Sequence, residues 1–146
     1  MKMGLTVREL LLTDEMKEIK VLGGSRGLDR EIKGVTIIEA PDIVKFIDGG
    51  EVLLTGLYAF RSCTVEEFRT YINELTRKSV SALVLKRGRE VDNADTKIEL
   101  LFAFAEEHDI PVLEVPFEVS FRDIMSLIME RLFNEEVTRL KYFKTT

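Results

Sequence analysis

The chain has 146 residues, 45% hydrophobic and 32% charged, the composition of a single globular domain with a real core and not of a disordered segment. Twenty-one basic residues against twenty-six acidic ones leave a formal charge of −5 and a pI near 5.1, the wrong sign for a surface that must displace counterions from nucleic-acid phosphates. A lone cysteine, Cys63, excludes an internal disulfide and a cysteine-rich zinc site. No stretch approaches the ~18 apolar residues of a membrane span, and the opening residues lack a small-residue cleavage site, so a cytoplasmic protein is expected.

In chain order, Thr6 and Glu9 form a capping-box pair ahead of Val7, Leu10 and Leu11, which predicts a brief helix ending before Lys17. The segments IKVLGG and GVTIIE, with a turn-rich stretch between them, read as two strands joined by a loop. PDIVKFIDGG reads as one or two helical turns, with Pro41 at the first helical position and Gly49 and Gly50 ending it. EVLLT is the next strand. Thr64 and Glu67 then repeat the capping box, and Val65, Phe68, Tyr71, Ile72 and Leu75 follow at helical spacing. SALVLK is a continuous apolar strand of the kind covered on both faces, and the helix after it carries Ile98, Leu101, Phe102 and Ala105. PVLEVP closes the strands. Ser120 and Asp123 make a third such pair, opening a helix with no glycine or proline through Thr146.

Alternating strands and helices with these connections predict an α/β fold: a single domain with a largely parallel or mixed sheet, helices on its faces and a long C-terminal helix. Residues 1–133 form the domain on this reading, and 134–146 a helical extension or linker. The first half of the last helix is expected to cover the sheet, and its apolar stripe offers a homodimer seam.

Little in the sequence points to catalysis. There is one histidine, one cysteine and no nucleophile-elbow motif. His108 falls at a helix C-terminus, where a cation is favoured. Cys63 reads as a small loop residue beside Arg61. The GGSRG stretch lacks the pattern of a phosphate loop and reads as a turn. Asp92 and Asp95 fall short of a calcium loop, and helix capping accounts for Asp95. No metal or cofactor is expected.

Ligands of open parallel sheets bind at the carboxyl ends of the strands. Lys86, Arg87 and Arg89 follow a strand that should be central, and Glu39, Asp42, Thr55, Glu114 and Glu118 fall at or just past other strand ends. The expected binding residues are Glu39, Asp42, Gly50, Glu51, Thr55, Gly56, Lys86, Arg89 and Glu114, facing a small metabolite. Gly49 and Gly50 are assigned to a sharp turn with positive φ, and Gly56 to close backbone approach at the crevice.

Taken together, LTVRELL, Gly24 with Gly27-Leu28-Asp29-Arg30, Val35, Glu39, Pro41-Asp42, Gly49-Gly50-Glu51, Leu53 to Gly56, Gly88-Arg89, Ile110-Pro111, Leu113, Pro116 and Phe121 form an ordered set over residues 5 to 133. The chain thereby resembles the N-terminal domain of purine-catabolism-regulator-like (PucR-type) bacterial transcription factors. This resemblance implies a sensory or dimerisation domain of a regulator of a catabolic pathway, with purine-derived metabolites as the type-case signal. Relatives often repeat the threonine before the glycine of the LLT strand, where this chain has the single Thr55. They also continue into a DNA-binding helix-turn-helix that has no counterpart within these 146 residues, so a fragment or stand-alone version is expected, with DNA contacted only through other modules. The scarcity of recognisable binding motifs leaves a ligand-free structural dimerisation domain as one alternative, and the Gly-Gly-Glu arrangement, distantly similar to the substrate-recognition domains of the Mur ligases, leaves an enzyme's substrate domain as another.

Overall fold

A computed structural model of the chain describes residues 4–40, 47–86 and 91–144. The elements run α1 (Val7–Leu11), β1 (Lys20–Gly23), β2 (Gly34–Ile38), β3 (Glu51–Thr55), α2 (Val65–Lys78), β4 (Ala82–Lys86), α3 (Ala94–His108), β5 (Val112–Val115) and α4 (Phe121–Lys144), with short 3₁₀ turns between some of them. The helical turns expected over 41–46 lie outside the described residues.

The five strands form one sheet in the order β1-β5-β4-β3-β2. β2, β3, β4 and β5 run parallel, and β1 joins β5 antiparallel. The sheet is therefore mixed. The two early strands do not pair with each other but hold its opposite edges.

Strand alternation divides the core in two. Leu53, Leu83, Leu85 and Val112 face Phe68, Ile72 and Leu75 of α2 and Leu101, Phe104 and Ala105 of α3. Val52, Leu54, Ala82, Val84, Leu113 and Val115 face Val7 and Leu10 of α1 and Ile124 and Ile128 of α4. β3 and β4 are thus buried on both sides, which is why EVLLT and SALVLK read as apolar runs rather than alternating ones.

Two capping boxes form as read. Thr6 and Glu9 exchange side-chain and backbone bonds at α1, and Thr64 and Glu67 do so at α2. At α4 the Ser120 hydroxyl instead accepts the Arg122 N–H at 3.1 Å, so Asp123 closes no box. Asp95 is not a cap either. The cap of α3 is Asn93, in a left-handed conformation, and Asp95 lies within the first turn. The buried face of α3 is Lys97, Leu101, Phe104 and Ala105, whereas Phe102, expected on that stripe, is 50% exposed.

Glycine matters most at two places. Gly24 has φ +75 and lies against the backbone of Ile110 and Pro111, tying the loop after β1 to the turn between α3 and β5. Arg30 fastens the same turn, donating to the carbonyls of Asp109 at 2.9 Å and His108 at 3.1 Å. Gly50 has φ +84, donates to the Ser79 carbonyl at 3.1 Å and accepts the Lys33 N–H at 2.8 Å. Gly49 shows no such conformation, so the positive φ that turns the chain into β3 belongs to Gly50 alone.

Candidate functional site

The carboxyl edge of the parallel strands is built by the connections that leave it. β2 ends at buried Ile38, and the next residue, Glu39, is exposed. β3 ends at Thr55, 1% exposed, whose hydroxyl accepts the Leu57 N–H at 3.1 Å. Leu57 itself is buried with φ 63, an uncommon conformation for a leucine, and a single 3₁₀ turn, Tyr58–Phe60, follows. Gly56 has no positive φ, and among the described residues a side chain there would meet nothing nearer than the Lys86 carbonyl at 3.9 Å. The close approach expected of Gly56 is not required; the unusual backbone has moved one residue on, to Leu57.

Between this turn, the end of β2 and α2 lies a cleft of about 380 Å³, lined by Glu39, Ala40, Ala59, Arg61, Ser62, Cys63, Glu67 and Tyr71. The Arg61 guanidinium donates to the Tyr58 carbonyl at 3.1 Å and sits 4.4 Å over the Tyr58 ring. Glu67 is held below the usual carboxyl range by the Thr64 N–H and then the Thr64 hydroxyl, with Lys97 adding to the effect. Burial and then Glu67 push the Cys63 thiol up, and Lys97 opposes them. Cys63 is therefore a thiol and not an activated nucleophile.

Lys97 was invisible as a site residue in the sequence. It is 0% exposed in the first turns of α3, and its ammonium donates at 2.8 Å to the carbonyl of Phe60, which stands in sequence between Ala59 and Arg61 of the cleft lining. The one available signal was spacing, since Lys97 stands four residues before Leu101 and eight before Ala105, on the face that the sheet covers.

Of the expected binding residues that the structure describes, only Glu39 lines this cleft, with Thr55 buried beneath its turn. Lys86 ends β4, but strand alternation sends it to the α4 face: it donates to the Val119 carbonyl and lies 4.5 Å from the Phe121 ring centroid. Burial lowers the Lys86 pKa, against a smaller opposing effect of Glu118. Glu114 is half-buried on the α3 face, beside Leu85 and opposite Lys20 in register. Its register partner Leu85 lines a largely apolar pocket of about 400 Å³ under α3, with Leu22, Ile98, Glu99, Leu101, Phe102 and Val112. Gly50 and Glu51 sit at the opposite, amino-terminal end of β3, a strand of five residues. There the Glu51 carboxylate takes the Thr36 hydroxyl and the Asp48 N–H, a brace for the turn into the strand. The structure therefore does not bring Gly50 and Glu51 to the other candidates. Asp42 and Arg89, with Arg87, lie outside the described residues. Among the described residues no cluster of His, Cys, Asp and Glu has the arrangement of a metal site, and no helix is long and apolar enough to cross a membrane.

A family model, the purine catabolism regulatory protein-like family, matches residues 9–132. The chain belongs to that family. Among curated proteins it is similar to the purine catabolism regulatory protein of Bacillus subtilis (strain 168), at 20% identity over 137 residues. That alignment covers 94% of this chain but 25% of the relative's length. The matched region takes in every strand and runs from within α1 into α4, so the family's shared unit is this sheet with both of its helical faces.

Proposed function

We propose that this domain is the signal-sensing module of a bacterial transcriptional regulator of a catabolic pathway, purine catabolism being the pathway in the relative's name. It works in the cytoplasm, without a cofactor and without catalysis. A small metabolite enters the carboxyl edge of the sheet and alters the setting of α4, which leads toward DNA-binding modules outside these residues. The observation that carries this reading is that the cleft lies at the carboxyl end of the strands, the same end at which Lys86, closing β4, holds the Val119 carbonyl of the β5–α4 connection with its ammonium on the opposite face of the sheet. A ligand that shifts the strand ends has a direct mechanical route to the helix. The test is a thermal-shift screen of the chain against purine-pathway intermediates, amino acids and other catabolic metabolites, with Arg89→Ala as a control. A stabilising compound whose effect is lost in the control supports the reading; no stabilisation at millimolar concentration counts against it.

A second role is favoured by a separate observation. Met129, Phe133 and Leu140, at 55%, 68% and 55% exposure, recur at i, i+4 and i+11 along one side of α4. That stripe suits a homodimer seam. Sedimentation of the chain and of Phe133→Glu tests it, and a wild-type chain that stays monomeric at high concentration rules it out.

A further inference from the structure

The two edges of the sheet are built differently. β1 is a four-residue strand with an exposed Lys20 and a register shift between Val21 and Gly23. A charge and a break in register are what ordinarily keep an edge from pairing. β2 has five residues, Gly34, Val35, Thr36, Ile37 and Ile38, in unbroken register with β3. It carries no charge and no proline, and among the described residues no strand lies beside its other edge. Four β-branched residues in a row make a regular strand, whose outward N–H and C=O groups are a template for one strand more.

The charges flanking β2 indicate what that strand is. Lys33 and Glu39 stand at its two ends, both exposed, and neither takes part in an ion pair among the described residues. An antiparallel copy of the same strand, related by a two-fold axis normal to the sheet, is centred on a residue, because opposed side chains must share a face. Centred on Thr36, it sets Lys33 opposite the partner's Glu39, Gly34 opposite the partner's Ile38 and Val35 opposite the partner's Ile37. Opposite charges then meet at both ends, with β-branched pairs between them. Centring on Val35 would set Glu39 against the partner's Glu31, a like charge, and centring on Ile37 would set it against the partner's Val35. Charge therefore selects the Thr36 register.

We propose that β2 pairs with β2 of a second copy in this antiparallel register, joining two five-stranded sheets into one. The inference rests on the homodimer reading above and supplies its interface. α4 lies over β2, so the axis places both α4 helices, with their exposed Met129 and Phe133, on one face of the joined sheet. The antiparallel arrangement also carries the amino end of one β2 to the carboxyl end of the other. The partner's Lys33 thereby reaches the rim of the cleft that Glu39 lines, and each cleft is completed by the other copy.

The experiment is sedimentation of the wild-type chain, Lys33→Glu, Glu39→Lys, an equimolar mixture of these two variants, and Phe133→Glu. Lys33 and Glu39 are exposed, so the charge variants should unfold at the wild-type temperature, which thermal unfolding checks. The wild type is expected to dimerise, and each single reversal to weaken the dimer at least about fivefold, since two symmetric pairs turn from attraction to repulsion. The mixture should regain the wild-type affinity, because the reversed charge of one chain then faces its opposite on the other. A role for either residue within its own chain would not produce that recovery. Weakening without recovery in the mixture overturns the proposal. So does a dimer that both charge reversals leave unchanged; if Phe133→Glu dissociates that dimer, the homodimer reading stands with its seam on α4 alone. A wild-type chain that stays monomeric at high concentration removes both.

Discussion

Gly24→Ala tests how the sheet edge is joined to the rest of the fold. At φ +75 an alanine pays about 1–2 kcal/mol in backbone strain. Its Cβ would also stand 2.6 Å from the Ile110 carbonyl carbon and 2.9 Å from the Pro111 Cα. Both are backbone atoms, so no side-chain rotation relieves the overlap, and parting the β1 loop from the α3–β5 turn adds strain of about 1–3 kcal/mol. The sum, roughly 2–5 kcal/mol, is a large share of a total stability of about 5–15 kcal/mol. For a chain of this size it corresponds to a melting temperature lower by roughly 5–20 °C. Urea and thermal unfolding followed by circular dichroism measure the loss, with Gly56→Ala as the internal control. That site has ordinary φ and, among the described residues, no neighbour nearer than 3.9 Å, so its stability should change by less than about 0.5 kcal/mol. A Gly24→Ala loss below about 1 kcal/mol, or one matched by Gly56→Ala, would refute the close-approach argument.

Gly50→Val should destabilise by more than about 1 kcal/mol, because a β-branched residue is forced to φ +84 against the Lys33 side chain; an unchanged unfolding curve removes that argument. Thr64→Ala should lose about 0.5–2 kcal/mol as the α2 capping box opens, which urea unfolding will show. The same box sets a pH dependence. Because the folded Glu67 carboxyl is depressed, its contribution is present above the unfolded value and disappears as pH falls through the folded one, so the stability gap between wild type and Glu67→Gln should close in acid. Cys63, whose thiol is raised by burial, should react with iodoacetamide more slowly at neutral pH than an exposed cysteine; faster reaction would contradict the packing of that wall.

Local rules carried most of the element assignments. Capping boxes at Thr6 and Thr64, apolar runs at EVLLT and SALVLK, and the uninterrupted stretch after Ser120 each depend on residues close in sequence, and each stands in the structure. What depends on distant neighbours was not legible in the same way. The edge positions of β1 and β2, the rotation of α3 that buries Lys97 and exposes Phe102, and the turn of Lys86 onto the α4 face follow from which surfaces close over which. The candidate site divided along the same line. Glu39 was readable because a polar residue past an apolar strand marks a strand end, but Gly50 and Glu51 were drawn in by proximity in sequence although a strand's length separates them from that edge. Lys97 escaped because a cation at helical spacing reads as solvated until a sheet is laid against it. Composition, pattern and family resemblance therefore determine the class of fold and the regulatory family, while tertiary packing alone decided which charges share a cleft, since burial and the electrostatics that follow from it are properties of the assembled layers.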